Sequence, residues 1–200
     1  RLVLAANRDE FYDRPTRPLG FGPENPDILA GRDEQSRGTW LGFNRNGRFA
    51  ALTNFRNLAV LKKNGPTRGK LVRDFLESDS SPRRYLEAVK ERALEYSGFN
   101  LLVGDTDELL YFSNMDSAIH TVGPGIHGLS NAFLDTPWPK VVRGKRALAA
   151  LVQSSQNMVA EDFFDLLADR QIPGDHELPE TGVGLELERV LSPIFIESPG

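Results

Sequence analysis

The chain has 200 residues, 40% of them apolar, a net charge of −4 and an estimated pI of 5.5. A length of this order fits one domain able to bury roughly 70% of the surface of its unfolded chain, and the acidic balance, with no basic run longer than two residues, argues against nucleic acid as a partner. The absence of Cys excludes disulfides, thiolate metal sites and an internal thiol nucleophile, and it fits a reducing, cytoplasmic compartment; no segment carries the ~18 consecutive apolar residues of a membrane span.

The chain opens on Arg1, and Leu2–Ala6 already reads as a buried strand. Natural residues upstream of Arg1 are therefore expected. The other end, Glu197-Ser198-Pro199-Gly200, is turn-like, and a further segment is expected beyond it. Residues 13–27 hold Pro15, Pro18, Gly20, Gly22, Pro23 and Pro26 and read as a long irregular loop. Ile28–Ala30, Thr39–Phe43 and Phe49–Thr53 follow as short strands, with Asn46-Gly47 a two-residue hairpin signal between the last two.

Gly69–Ser78 is a short candidate helix. Ser81 is placed to cap a second, with Pro82 at its first position; Tyr85, Val89, Arg92, Ala93 and Tyr96 fall near one face, and Gly98 ends it. Phe99–Gly104 and Glu108–Ser113 form a hairpin around Asp105-Thr106-Asp107. Ser117–Val122 and Ile126–Ser130 read as further strands around Gly123-Pro124-Gly125. A helix from Trp138 to Gln153 would bury Val141, Val142, Leu148 and Val152, and another at Ala160–Arg170 would turn Phe163, Phe164, Leu166 and Leu167 inward. Runs of strands followed by helices, without strict alternation, indicate an α+β layered domain rather than a doubly wound fold. No Gly-rich phosphate loop follows a strand.

Three polar groups stand where strands are expected to end: Asn7-Arg8-Asp9-Glu10, Thr53-Asn54 and Ser130-Asn131. Asn carries donor and acceptor without charge, so it can hold an oxyanion or orient an amide; it is equally a turn residue bonding its own backbone. His120 and His127 bracket the Gly-Pro-Gly turn, where they could face each other, but their spacing of seven is no metal signature. No metal site is expected.

Taken in order, these segments resemble the NRDE family, also called the transport and Golgi organisation 2 family. The resemblance rests on Asn7-Arg8-Asp9-Glu10 with Arg14-Pro15-Thr16, Ala30-Gly31-Arg32-Asp33, Gly38-Thr39-Trp40-Leu41-Gly42 and Thr53-Asn54-Phe55-Arg56. It continues through Phe99–Gly104, His127-Gly128-Leu129-Ser130-Asn131 and Leu134-Asp135-Thr136-Pro137-Trp138-Pro139. It implies a four-layer αββα sandwich like that of the N-terminal-nucleophile hydrolases, in a single domain over residues 1–200. The family's association with haem trafficking and acyl-CoA or lipid handling implies an amphipathic small ligand, with haem as cargo rather than as a required cofactor. On that reading Asn7, Arg8, Asp9, Glu10, Arg32, Arg56 and His127 line the ligand site. Arg8, Arg32 and Arg56 would meet propionate or phosphate groups bidentately, and His120 or His127 would serve haem iron. The alternative is an amide or thioester hydrolase whose N-terminal Cys lies upstream of residue 1, with Asp9 holding the amine and Asn54 and Asn131 binding the oxyanion. A protein–protein adaptor ranks last, because the polar residues gather at expected strand ends. Oligomeric state is not legible.

Overall fold

The computed structural model describes residues 2–62, 65–154 and 157–197, so the final residues of the turn-like Glu197–Gly200 end lie outside the described residues. The chain divides into two compact units. One comprises residues 11–124 and 131–133, the other residues 1–10, 125–130 and 134–200. Together they hold a seven-stranded antiparallel sheet and, among the described residues, five α-helices, a mixed helix-and-strand architecture.

The first unit is an antiparallel meander, β1 (Thr16–Phe21), β2 (Ile28–Asp33), β3 (Leu41–Asn44), β4 (Phe49–Asn54), β5 (Phe99–Gly104), β6 (Leu109–Ser113) and β7 (Ile119–Thr121), with spatial order the same as chain order. β1 replaces the irregular loop read at residues 13–27. Pro18 is compatible with it because β1 is an edge strand, and the register slips between Arg17 and Gly20, where Pro18 could give no ladder bond. The turn between β3 and β4 is also longer than the two residues anticipated. Gly47 alone takes a positive φ, of 79°, and Arg48 O and Asn44 O accept from Asn44 N–H and Gly47 N–H, closing a loop over Arg45-Asn46-Gly47.

Helices α1 (Gly69–Glu77) and α2 (Pro82–Glu91) cover one face of this sheet, α1 on β3 and β4 and α2 on β6 and β7. Period-2 alternation sends Leu101, Val103, Leu110 and Phe112 to that face, where they meet Leu71, Phe75, Leu86 and Val89 from the helices. Phe75, Phe99 and Phe112 are fully buried. Ser81 caps α2 as read, its hydroxyl accepting from Arg84 N–H at 3.4 Å ahead of Pro82 at the first turn. α2 stops at Glu91, so Arg92 lies outside it and exposed, while Ala93 and Tyr96 still reach the core from the short 3-10 turn that follows.

The second unit carries α3 (Pro139–Ser154), α4 (Ala160–Leu167) and α5 (Leu185–Val190), with α3 packed on α4. Two strands expected here do not form. Leu2–Ala6 and Ile126–Ser130 have no strand assignment, because an apolar run becomes a strand only where another strand offers it a ladder, and among the described residues none pairs with either. The apolar faces of the helices are also less covered than their spacing implied. Val142, Val152 and Phe164 are exposed, whereas Val141 is buried beside Lys140, whose ammonium donates to Leu191 O at 2.8 Å. No helix among the described residues is long and apolar enough to cross a membrane.

Candidate functional site

The polar residues singled out in the sequence fall into three places. In the first unit the end of β4 and the residue triplet 131–133 are stitched together. Asn131 Nδ2 donates to Asn54 O at 3.0 Å, Asn131 Oδ1 accepts from the Arg56 guanidinium at 3.2 Å, and Asn131 O accepts from Arg56 N–H at 2.6 Å. Asn54, Arg56 and Asn131 are thus brought together, and the Asn131 amide is spent on holding the loop. Beneath them lies Asn100, fully buried on the sheet face opposite the helices. Its amide donates to Thr53 Oγ1 at 3.0 Å and to Ala132 O at 2.9 Å, and its Oδ1 accepts from the Tyr111 hydroxyl at 2.7 Å. Sequence reading passed over Asn100; a polar residue inside the apolar β5 run is the signal that could have found it.

In the second unit Asn7 does not end a strand. Its Nδ2 donates to Leu167 O at 2.8 Å, at the last turn of α4, and to Ile194 O at 3.0 Å, so it fastens the 2–10 segment to that unit. Arg8 lies 3.8 Å from Glu10, and Asp9 is solvent-exposed. The same unit holds a charged cluster around Asp135. Its carboxylate meets His127 Nδ1 at 2.7 Å, accepts from Lys145 Nζ at 2.6 Å and from Gly128 N–H at 2.9 Å. Burial pushes the Asp135 pKa upward, but the hydrogen bonds from Lys145 and His127 outweigh it and hold this carboxyl below the ordinary range. His120, in the first unit, has a partner of its own, Asp116 at 2.7 Å.

The third place is a cleft in the first unit, beside the edge of the sheet. Strand β2 turns Ile28 and Ala30 into it, the β1 edge supplies Phe21, and α1 supplies Arg73. Its volume is about 160 Å³. Four guanidiniums border it, Arg17, Arg32, Arg37 and Arg73, against two carboxylates, Glu24 and Glu77. Arg32 grips Glu24 with both terminal nitrogens, at 2.9 and 3.2 Å. The hydrogen bond from Arg32 first, then the charge of Arg32, hold Glu24 below the usual carboxylate range, with Arg73 and Arg37 adding in the same direction. Arg73 Nε is buried and makes no hydrogen bond among the described residues. Of the three arginines chosen from the sequence, this cleft contains Arg32; Arg56 is engaged with Asn131, and Arg8 belongs to the other unit. Arg37 and Arg73 were missed because they come from a turn and a helix whose meeting only the fold decides. Among the described residues no group of three or more His, Asp or Glu side chains could hold a metal ion.

An antiparallel meander backed by two helices, with a cation-bordered cleft at its edge and asparagine-stitched loops at its end, defines a mixed α/β protein. The chain belongs to the transport and Golgi organisation 2 family, whose model matches residues 1–200. It is 36% identical to the Transport and Golgi organization protein 2 homolog of Bos taurus over 204 residues, which covers 98% of this chain and 74% of that protein. It is 38% identical to the Homo sapiens homolog, over 92% of this chain and 69% of that protein. The Drosophila melanogaster Transport and Golgi organization protein 2 is 27% identical, over 92% and 74% respectively.

Proposed function

We propose that this chain binds and passes on an amphipathic acid, with an acyl-CoA or haem as the cargo class. The observation that carries the reading is the cleft at the sheet edge, where Phe21, Ile28 and Ala30 offer apolar surface and guanidiniums outnumber carboxylates four to two. Guanidinium forks match carboxylate and phosphate oxygens in pairs, while the apolar wall favours a hydrocarbon neighbour. An acyl-CoA needs only these two features, and it is the form of the reading the geometry favours. Haem asks in addition for an axial ligand. The sequence candidates, His120 and His127, do not line this cleft: His120 stands on β7, at the opposite edge of the sheet, and His127 belongs to the other unit. The relatives' names speak of transport, and carriage is a reading of that kind. The proposal includes the αββα sandwich implied by the family resemblance, in one domain, and a cytoplasmic setting. The hydrolase reading ranks second, since Asn131 Nδ2 already donates to Asn54 O and its Oδ1 already accepts from Arg56.

The test is a titration of the purified protein with palmitoyl-CoA by fluorescence and with haemin by absorbance. Saturable binding of at least one is expected. Arg32→Ala should weaken palmitoyl-CoA about tenfold or more, the worth of a charge-assisted hydrogen bond; His127→Ala, outside the cleft, should leave palmitoyl-CoA binding unchanged. Failure of both ligands to saturate the protein would remove the carrier reading.

A further inference from the structure

The cleft at the sheet edge holds a carboxylate of the protein itself in the place where an anionic ligand would be drawn. Glu24 sits on the loop between β1 and β2, its side chain 68% exposed, yet it is gripped by Arg32 and lies in the field of Arg73 and Arg37. Arg32 on β2 is far less exposed, at 27%, and is set on a rigid strand. The pairing is therefore lopsided, with the cation fixed by the sheet and the anion carried on an exposed loop. Arg73 adds a buried Nε that makes no hydrogen bond among the described residues and has the Glu77 carboxylate 3.8 Å away. Glu77 meets its charge but stands beyond hydrogen-bond distance, so an acceptor brought closer by a ligand would complete it.

We propose that the Glu24 carboxylate is an internal stand-in for the ligand's anionic head: a carboxylate or phosphate entering the cleft takes Arg32 from Glu24, which turns out to solvent. This rests on the reading that the cleft receives an amphipathic acid, and it names the head group and the residue that regulates its entry. Exposed ion pairs contribute little to stability and are screened by salt, so Glu24 competes weakly and leaves readily. With Glu24 bound, the cleft's excess of guanidiniums is partly neutralised, which disfavours indiscriminate capture of small inorganic anions. A better-fitting acid, with hydrocarbon to lay against Phe21 and Ile28, displaces it. The cleft volume of about 160 Å³ suits a head group and a short apolar stretch, since a cavity of roughly 150 Å³ holds a benzene-sized group.

Calorimetric titration of the whole chain at low salt with hexanoate, hexyl phosphate and neutral hexanol tests this. At least one of the two acids should bind saturably, and hexanol at least about tenfold more weakly. Saturation by hexyl phosphate alone assigns the head as phosphate, and by hexanoate alone as carboxylate. Glu24→Gln, at an exposed position, should leave the melting temperature unchanged and tighten acid binding about two- to fivefold, the worth of an exposed ion pair. Arg32→Gln should loosen the acids and abolish the gain from Glu24→Gln in the double variant. Hexanol binding as tightly as the acids, or acid affinity unchanged or reduced in Glu24→Gln, overturns the proposal. The two readings fail separately. Acids bound with Glu24 dependence while palmitoyl-CoA and haemin are refused would sink the carrier alone. Palmitoyl-CoA bound while Glu24→Gln has no effect would sink the stand-in alone.

Discussion

Replacing Asn100 by Leu keeps the same branching and number of side-chain heavy atoms in a fully buried position, though the methyl groups are bulkier, and removes three hydrogen bonds at once. The amide no longer reaches Thr53 Oγ1 or Ala132 O, and the Tyr111 hydroxyl loses Asn100 Oδ1. Each intramolecular hydrogen bond is worth about 1 kcal/mol net, and depriving a buried partner costs at least that, so the substitution should destabilise by about 3 kcal/mol. For a chain of this length that corresponds to a fall in melting temperature of about 6–12 °C. The damage should be local as well as global, because Ala132 adjoins Asn131, which carries the bonds to Asn54 and Arg56. Thermal and urea melts of the parent, Asn100→Leu, Tyr111→Phe and the double variant read the effect. Tyr111→Phe alone should cost about 1 kcal/mol, and the double variant should fall short of the sum by a similar amount, since both changes delete one shared bond. An Asn100→Leu protein melting within about 2 °C of the parent would refute the claim that this amide pins residues 131–133 to the sheet.

The folded Asp135 pKa lies below its ordinary value of 3.8, so this carboxylate contributes stability that is present above that value and lost as the pH falls through the folded one; Asp135→Asn should flatten that part of the acid limb in melts recorded from pH about 6 to about 3, and an unchanged limb would contradict the cluster. A Cβ at Gly38 would lie 2.7 Å from the backbone carbon of Gly69, which cannot turn aside as a side chain could; Gly38→Ala should therefore cost about 1–3 kcal/mol, and a melt unchanged from the parent would show that the start of α1 shifts freely against the loop between β2 and β3.

Local signals carried much of the fold. Gly69–Glu77, Ser81 with Pro82, and the Phe99–Ser113 hairpin lie where their caps, periodicity and turn residues put them, because those cues act between residues a few positions apart. Family membership was legible in the same way, through collinear short motifs. What the sequence could not determine were matters of partnership. Leu2–Ala6 and Ile126–Ser130 have strand composition, yet strand formation depends on a ladder from elsewhere in the chain, and neither segment has one among the described residues. Thr16–Phe21 has loop composition and is a strand, because β2 lies alongside and the edge tolerates Pro18. Asn131 was legible as polar but not as spoken for; only the fold brings Arg56 and Asn54 to it across 75 and 77 positions of chain. The cleft shows the same division. Arg32 stood in a motif, whereas Arg37 and Arg73 became its neighbours because α1 packs across β3 and β4, a contact made by burying Leu71, Phe75 and Leu76 and written nowhere in the arginines themselves.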